Sequence, residues 1–93
     1  MTVELTDVPV HAEGVLSRLV DGEIVLVHPA QGKVRVLNRV GSGLWELADG
    51  RRSVEEMAGI IAEQYGVDPD RARADSLAFF SDLADRGVIS QGS

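Results

Sequence analysis

Residues 15–38 read VLSRLVDGEIVLVHPAQGKVRVLN, and this stretch decides the fold class. It contains three short runs rich in Val, Leu and Ile, at 15–20, 23–28 and 33–38. An Asp-Gly pair separates the first two runs and a Pro-Ala-Gln-Gly segment the last two, and both are typical turn sequences. Short β-branched runs joined by turns predict a three-stranded antiparallel meander.

Beyond residue 38 the apolar residues recur with a helical period. Val40, Leu44 and Leu47 lie three or four positions apart, which predicts a first helix that Asn38 caps. A Ser-Val-Glu-Glu capping box at 53–56 opens a regular apolar stripe and predicts a second helix, which stops at a glycine.

A third helix is predicted from Asp68-Pro69-Asp70, which supplies a capping side chain and a proline where no N–H is needed, and it ends near Gly87. The fold class is therefore α+β, with a three-stranded antiparallel sheet followed by three helices. We assign 15–90 to a single domain and 1–14, which shows no sustained period, to an extended N-terminal lead-in.

Composition narrows the classes of function. The 93 residues contain no cysteine, carry a net charge of −6, and include neither a signal-like start nor a membrane-length apolar run. These features predict one soluble, cytoplasmic domain without disulfides, and the acidic balance opposes nonspecific nucleic-acid binding. The tract 33–52 differs, with five basic residues against two acidic ones, so an acidic partner would meet the middle of the chain.

The histidine, serine and glycine residues of this sequence do not form a catalytic or metal-binding motif. His11 and His28 lie on different segments without a partner at metal-ligand spacing, and Ser42 lacks a nucleophile-elbow context. Gly41-x-Gly43 lacks the rest of a phosphate-loop motif, which favours close helix packing. We therefore predict a protein that is not an enzyme and binds no metal or cofactor.

Two features could form a binding surface. A three-stranded sheet leaves two edges with unpaired backbone groups, and the run 33–38 would be one of them. Lys33 and Arg35 on this run would either deter aggregation or attract an acidic extended peptide, and periodicity leaves both explanations open. The third helix has an apolar arc wider than one core contact needs, so part of it could line a groove.

Four motifs follow one another in a fixed order. They are Gly32-x4-Leu37-Asn38-x2-Gly41, WELADGR at 45–51, Gly66-Val-Asp-Pro, and Asp75 through Leu83 to Arg86-Gly-Val-Ile. Their order and spacing resemble the PqqD-like family over roughly residues 15–90. The resemblance implies a winged-helix-like RiPP recognition element, which binds the leader of a ribosomally made precursor peptide and presents it to a modifying enzyme or leader peptidase.

The resemblance also implies a binding mode, in which the leader adds a fourth strand beside strand three and packs on helix three. Carried onto this sequence, it implies a pairing strand of Lys33, Val34, Arg35, Val36 and Leu37. It implies a facing helix wall of Arg73, Leu77 and Phe80. Arg35 or Arg73 would pair with an acidic leader side chain, whereas Leu37 could instead belong to the core.

Within this family the sequence is more similar to one subgroup. The tracts 28–32 and 38–41 differ from the PqqD proteins of pyrroloquinoline quinone assembly. The tracts 32–45 and 65–69 are more similar to free-standing leader-binding partners of lasso-peptide peptidases. Two alternatives stay open: a winged-helix DNA-binding regulator, and a homodimer formed through the same sheet edge.

Overall fold

The computed structural model describes residues 3–91. Its strands are β1 (Pro9–His11), β2 (Leu16–Val20), β3 (Glu23–His28), β4 (Lys33–Val36) and β5 (Ile89–Gln91). Its helices are α1 (Arg39–Leu47), α2 (Val54–Tyr65) and α3 (Pro69–Asp85). The predicted α+β class, a three-stranded antiparallel sheet followed by three helices, is confirmed. The sequence patterns predicted neither β1 nor β5.

The main sheet has the order β2-β3-β4, so β2 and β4 are its edges. In the β2–β3 turn, Asp21 and Gly22 both have positive φ angles, of 50° and 84°. Two-residue hairpin loops of type I′ need positive φ at both central positions, and Asp-Gly is among the sequences that provide it. This turn therefore fixes the register in which Leu16 faces Val27.

The two faces of this sheet have different surroundings. Ile24 and Leu26 on the inner face are buried, and this face packs on the helices around Trp45 and Phe80. On the outer face, Val34 and its neighbours remain open, and Val34 is 66% exposed. The alternation along β3 and β4 therefore places one face of the sheet in the core and leaves the other uncovered by the described residues.

Side-chain caps fix the first residues of α1 and α3. Asn38 Oδ1 accepts a hydrogen bond of 2.7 Å from the Gly41 N–H, as the sequence predicts. At α3 the Asp68 carboxylate accepts from backbone N–H groups of the first turn, and Pro69 occupies a position that needs no donor. Because these caps satisfy otherwise unpaired N–H groups, they fix the residues at which α1 and α3 begin.

The predicted capping box of α2 is present. Ser53 Oγ accepts from the Glu56 N–H at 3.1 Å, and the Glu56 carboxylate accepts from the Ser53 N–H at 3.0 Å. The hydrogen bond from the Ser53 backbone is the main cause that lowers the pKa of Glu56. Because this pKa is depressed in the folded state, its stabilisation is present above the unfolded-state pKa and is lost as pH falls through the folded value.

We expect Ser53→Ala to lower the free energy of unfolding by about 1 kcal/mol at neutral pH, because the first turn of α2 loses an acceptor. Urea denaturation followed by circular dichroism measures this change, with Ser17→Ala on exposed β2 as the matched control. The Ser53 side chain also helps to lower the Glu56 pKa, so part of the difference between Ser53→Ala and the parent should disappear in acid, where Glu56 becomes protonated. Equal stability of Ser53→Ala and the parent at neutral pH would contradict the capping role.

The N-terminal segment lies on the body of the protein. β1 pairs with β5, and Val3 is buried in the core. The backbone carbonyls of Leu5 and Asp7 accept hydrogen bonds from the first N–H groups of α2, at 3.0 and 2.9 Å. Residues 1 and 2 of the predicted lead-in lie outside the described residues, and the boundary at residues 14 and 15 stays a prediction.

Candidate functional site

The outer edge of β4 has no strand partner within residues 3–91. The Leu37 N–H donates to the Ile24 carbonyl at 2.8 Å, which places Leu37 among the residues that bond to β3. Antiparallel strands alternate between residues that bond to the neighbour and residues that do not. The N–H and C=O groups of Val34 and Val36 therefore point away from β3, where an added strand could meet them.

A groove of about 810 Å³ lies between α1 and α3 and reaches β4 at Arg35. Its apolar lining includes Val40, Leu44 and Phe79, and its charged lining includes Arg35, Asp75 and Asp82. An extended peptide on the β4 edge would place alternate side chains into this groove.

A second hollow, of about 490 Å³, lies at the other end of β4 and is lined by Lys33, Val34 and Arg86 among others. Arg35 lines both spaces and reaches across to α3, where its guanidinium lies 2.5 Å from an Asp82 carboxylate oxygen. The Arg86 Nε lies 3.1 Å from the other oxygen of Asp82. The Arg35–Asp82 ion pair therefore divides the surface beside β4 into two compartments.

Of the strand residues predicted from sequence, four form β4 and Leu37 directly follows it. Lys33, Val34 and Val36 are exposed, and Arg35 is half-buried against α3. Leu37 is only 3% exposed and belongs to the core. Its side chain therefore packs in the core and is not available to contact a peptide on the β4 edge.

The helix residues predicted from sequence do not line the groove. Phe80 is fully buried in the core, and Leu77 packs against the same core cluster. Arg73 forms an ion pair with Asp70 near the start of α3. The predicted wall of Arg73, Leu77 and Phe80 stays a prediction, but in this structure Phe80 and Leu77 pack in or against the core. A different row, including Asp75, Phe79 and Asp82, faces β4.

The sequence carries only a weak signal for this other row. Asp75, Phe79 and Asp82 have helical spacing, but the row mixes one ring with two charges and so resembles an ordinary solvated face. Gly41 provides the second part of the signal, since a Cβ added there would lie 2.9 Å from the Phe79 ring. Close packing, as predicted for the Gly41-x-Gly43 pair, thus brings α1 against α3 at the groove.

Two buried polar atoms beside the site have no hydrogen-bond partner within the described part of the chain. Ser76 Oγ belongs to a residue that lines the larger groove, and His28 Nδ1 to a residue that lines the smaller hollow. Buried polar atoms are normally paired in native proteins. These two atoms, one at each compartment, could form hydrogen bonds with polar groups of a ligand.

Other side chains of types common in active sites form hydrogen bonds or ring contacts within the fold. Ser42 Oγ accepts from the Ile24 N–H at 2.9 Å and donates to the Leu37 carbonyl at 3.4 Å. His11 stacks on Trp45 with ring centroids 3.6 Å apart. From residue 3 to residue 91, no group of three or more acidic or histidine side chains is placed to hold a metal. No helix in that range is long and apolar enough to cross a membrane.

Known proteins share both the sequence pattern and this architecture. The family model of coenzyme PQQ synthesis protein D (PqqD) matches residues 23–89. TbiB1, solved in complex with the TbiA(beta) leader peptide, is 30% identical with a TM-score of 0.80, over 87% of this chain and 94% of that chain. A search of curated proteins found no match.

Two further solved structures are similar. The PqqD truncation of Methylobacterium extorquens PqqCD, described as a functional and stand-alone RiPP recognition element, is 29% identical with a TM-score of 0.79, over 95% of this chain and 94% of that chain. A lasso peptide synthetase B1 complexed with its leader peptide is 18% identical, over 89% of this chain and 98% of that chain. Its TM-score of 0.80 shows that the fold is shared.

Proposed function

Because the chain belongs to the PqqD family, we propose that it binds the leader of a ribosomally synthesised precursor peptide by strand addition to β4. One observation carries this proposal: the β4 edge has no strand partner within residues 3–91, and at Arg35 it meets a groove whose lining is partly apolar. Backbone hydrogen bonds to the edge would supply affinity, and side-chain contacts in the groove would supply selectivity. TbiB1, which is 30% identical and was solved in complex with a leader peptide, supports leader binding as the function.

The proposed role is recognition without catalysis. The protein would hold the leader and present the rest of the precursor to a modifying enzyme or a leader peptidase. The structural engagement of Ser42 and His11 supports this role, because neither side chain is left as an activated nucleophile or base. The resemblance in the tract 32–45 favours a lasso-peptide pathway over quinone assembly.

Charge pairing on α3 does not favour the alternative of a DNA-binding regulator. Three arginines on this helix or at its end form ion pairs with aspartates of the same element. They are Arg71 with Asp75, Arg73 with Asp70, and Arg86 with Asp82. A recognition helix needs cations available to phosphates, and paired carboxylates would repel them.

We expect a fluorescein-labelled leader to raise its anisotropy on addition of the protein, with a Kd in the micromolar range that modest strand-addition sites show. The labelled probes are the leader half of the precursor encoded beside this chain's gene and the TbiA(beta) leader. The core half of the same precursor and a scrambled leader are the controls. No specific binding of either leader at up to ~100 µM protein, about 5.5 kcal/mol of binding free energy, would overturn the proposal.

A further inference from the structure

The two compartments beside β4 differ in charge. The apolar end, which we define by Val40, Leu44 and Phe79, belongs to the larger groove, where two arginines are outnumbered by three aspartates. The basic end, which we define by His28, Lys33, Arg35 and Arg86, is lined by the carboxylate of Asp85, and its two arginines also contact that of Asp82. A peptide that follows β4 would therefore meet surroundings of opposite charge at its two ends.

The basic end is built on one face of the sheet. His28 pairs with Lys33 and Leu26 with Arg35 in the β3–β4 register, so these side chains project from the inner face toward the end of α3. His28 Nδ1 is buried and lacks a hydrogen-bond partner among residues 3–91. A carboxylate entering here would meet a ring nitrogen able to donate a hydrogen bond, together with the surrounding cations.

The Arg35–Asp82 ion pair leaves a guanidinium group at the basic end that can bind a further carboxylate. Asp82 is approached by both Arg35 and Arg86, so two guanidinium groups share one carboxylate. The Arg35 and Asp82 side chains are 39% and 37% exposed, so both can exchange partners without the desolvation penalty of a buried pair. An incoming carboxylate could therefore bind Arg35 while Arg86 still neutralises Asp82.

We propose that the basic end selects an aspartate or glutamate side chain in the bound peptide. This inference rests on the proposed strand addition to β4 and names the chemistry of one ligand position. An acidic side chain gains Lys33, Arg35 and the unpaired His28 nitrogen, whereas a basic one would meet like charges. Because the site is partly exposed, the expected discrimination is about threefold per charged contact.

The test uses a displayed library of random 12-residue peptides, selected on the immobilised full chain at low ionic strength. Lys33→Glu reverses one charge at the basic end. Arg18→Glu, on the exposed far edge strand β2, makes the same change in net charge away from the groove. We expect the parent and Arg18→Glu to enrich peptides with an acidic residue at one recurring position. In Lys33→Glu this enrichment should fall about threefold or more.

The outcomes separate the two proposals. Enriched peptides that show no preference for acidic residues would overturn this inference while leaving peptide binding intact. An equal fall in Lys33→Glu and Arg18→Glu would also overturn it, because the preference would then follow net charge. If the parent enriches no peptide and also fails to bind the labelled leaders, the proposed function itself fails. Replacing the acidic residue of a selected peptide by Gln should weaken its binding to the parent about threefold.

Discussion

Replacing Val36 with proline is expected to weaken leader binding about tenfold or more while the protein stays folded. The Val36 N–H points away from β3, so its loss removes no hydrogen bond of the existing sheet. An added strand would lose one backbone hydrogen bond, about 0.5–1.5 kcal/mol, and would also meet the proline ring. Proline is tolerated in edge strands for this reason, and Arg35 before it is already extended.

Two matched variants make this result specific for the β4 edge. Val36→Ala removes most of the same side chain but keeps the N–H, so its affinity should stay within about threefold of the parent. Leu19→Pro makes the equivalent change on β2. Leu19 pairs with Ile24, whose backbone groups face β4, so its own N–H also points outward. The leader should bind Leu19→Pro as it binds the parent.

Fluorescence anisotropy gives the affinities, and far-ultraviolet circular dichroism with thermal melting shows that each variant is folded. A folded Val36→Pro that binds as tightly as Val36→Ala would exclude the β4 edge. A loss caused by Leu19→Pro alone would move the binding site to the other edge of the sheet. Each result is informative because the two prolines differ only in the edge that they block.

Local patterns in the sequence were sufficient for the strands and helices of the main body. The Asp-Gly turn, the capping box and the change of apolar period at residue 38 each act within a few residues, so they can be read without tertiary structure. β1 and β5 could not be predicted in this way. Each has three residues, and their pairing joins Val10 to Ser90 across nearly the whole chain. Such contacts depend on the folded body.

The exposed β4 edge followed from the predicted strand order, but the rotation of α3 did not. Two neighbouring rows of this helix both have helical spacing, one through Leu77 and Phe80 and the other through Asp75 and Phe79. The more apolar row packs into the core, because burying Phe80 removes the largest apolar side chain of these two rows from water. The mixed row then lines the groove, so the most hydrophobic residues of α3 are not the ones exposed there.

This rotation predicts opposite consequences for two adjacent phenylalanines. Phe80 is fully buried and its ring lies edge-to-face with that of Phe79 at 5.1 Å. We expect Phe80→Ala to lower the free energy of unfolding by about 3–5 kcal/mol, because it leaves a cavity in the core. That loss is a large part of the total stability of a domain of this size, so urea denaturation should show an early midpoint.

Phe79→Ala should affect binding more than folding. Phe79 is half-buried and lines the groove, so under the proposed binding mode its truncation would remove a ligand contact as well as packing on Gly41. We expect its cost in unfolding free energy to be roughly half that of Phe80→Ala or less. Its leader affinity should fall about tenfold, as for an aromatic anchor at an interface.

Phe80→Leu separates these effects where Phe80→Ala is too unstable to assay. Leucine retains much of the buried volume, so the variant should fold and bind the leader within about threefold of the parent. If Phe80→Leu loses binding while Phe79→Ala retains it, the helix wall would be the row through Phe80 that the family resemblance implied. That exchange would require α3 to rotate on binding, since Phe80 has no exposed surface in this structure. The ratio of binding loss to stability loss at these two positions therefore identifies which face of α3 meets the peptide.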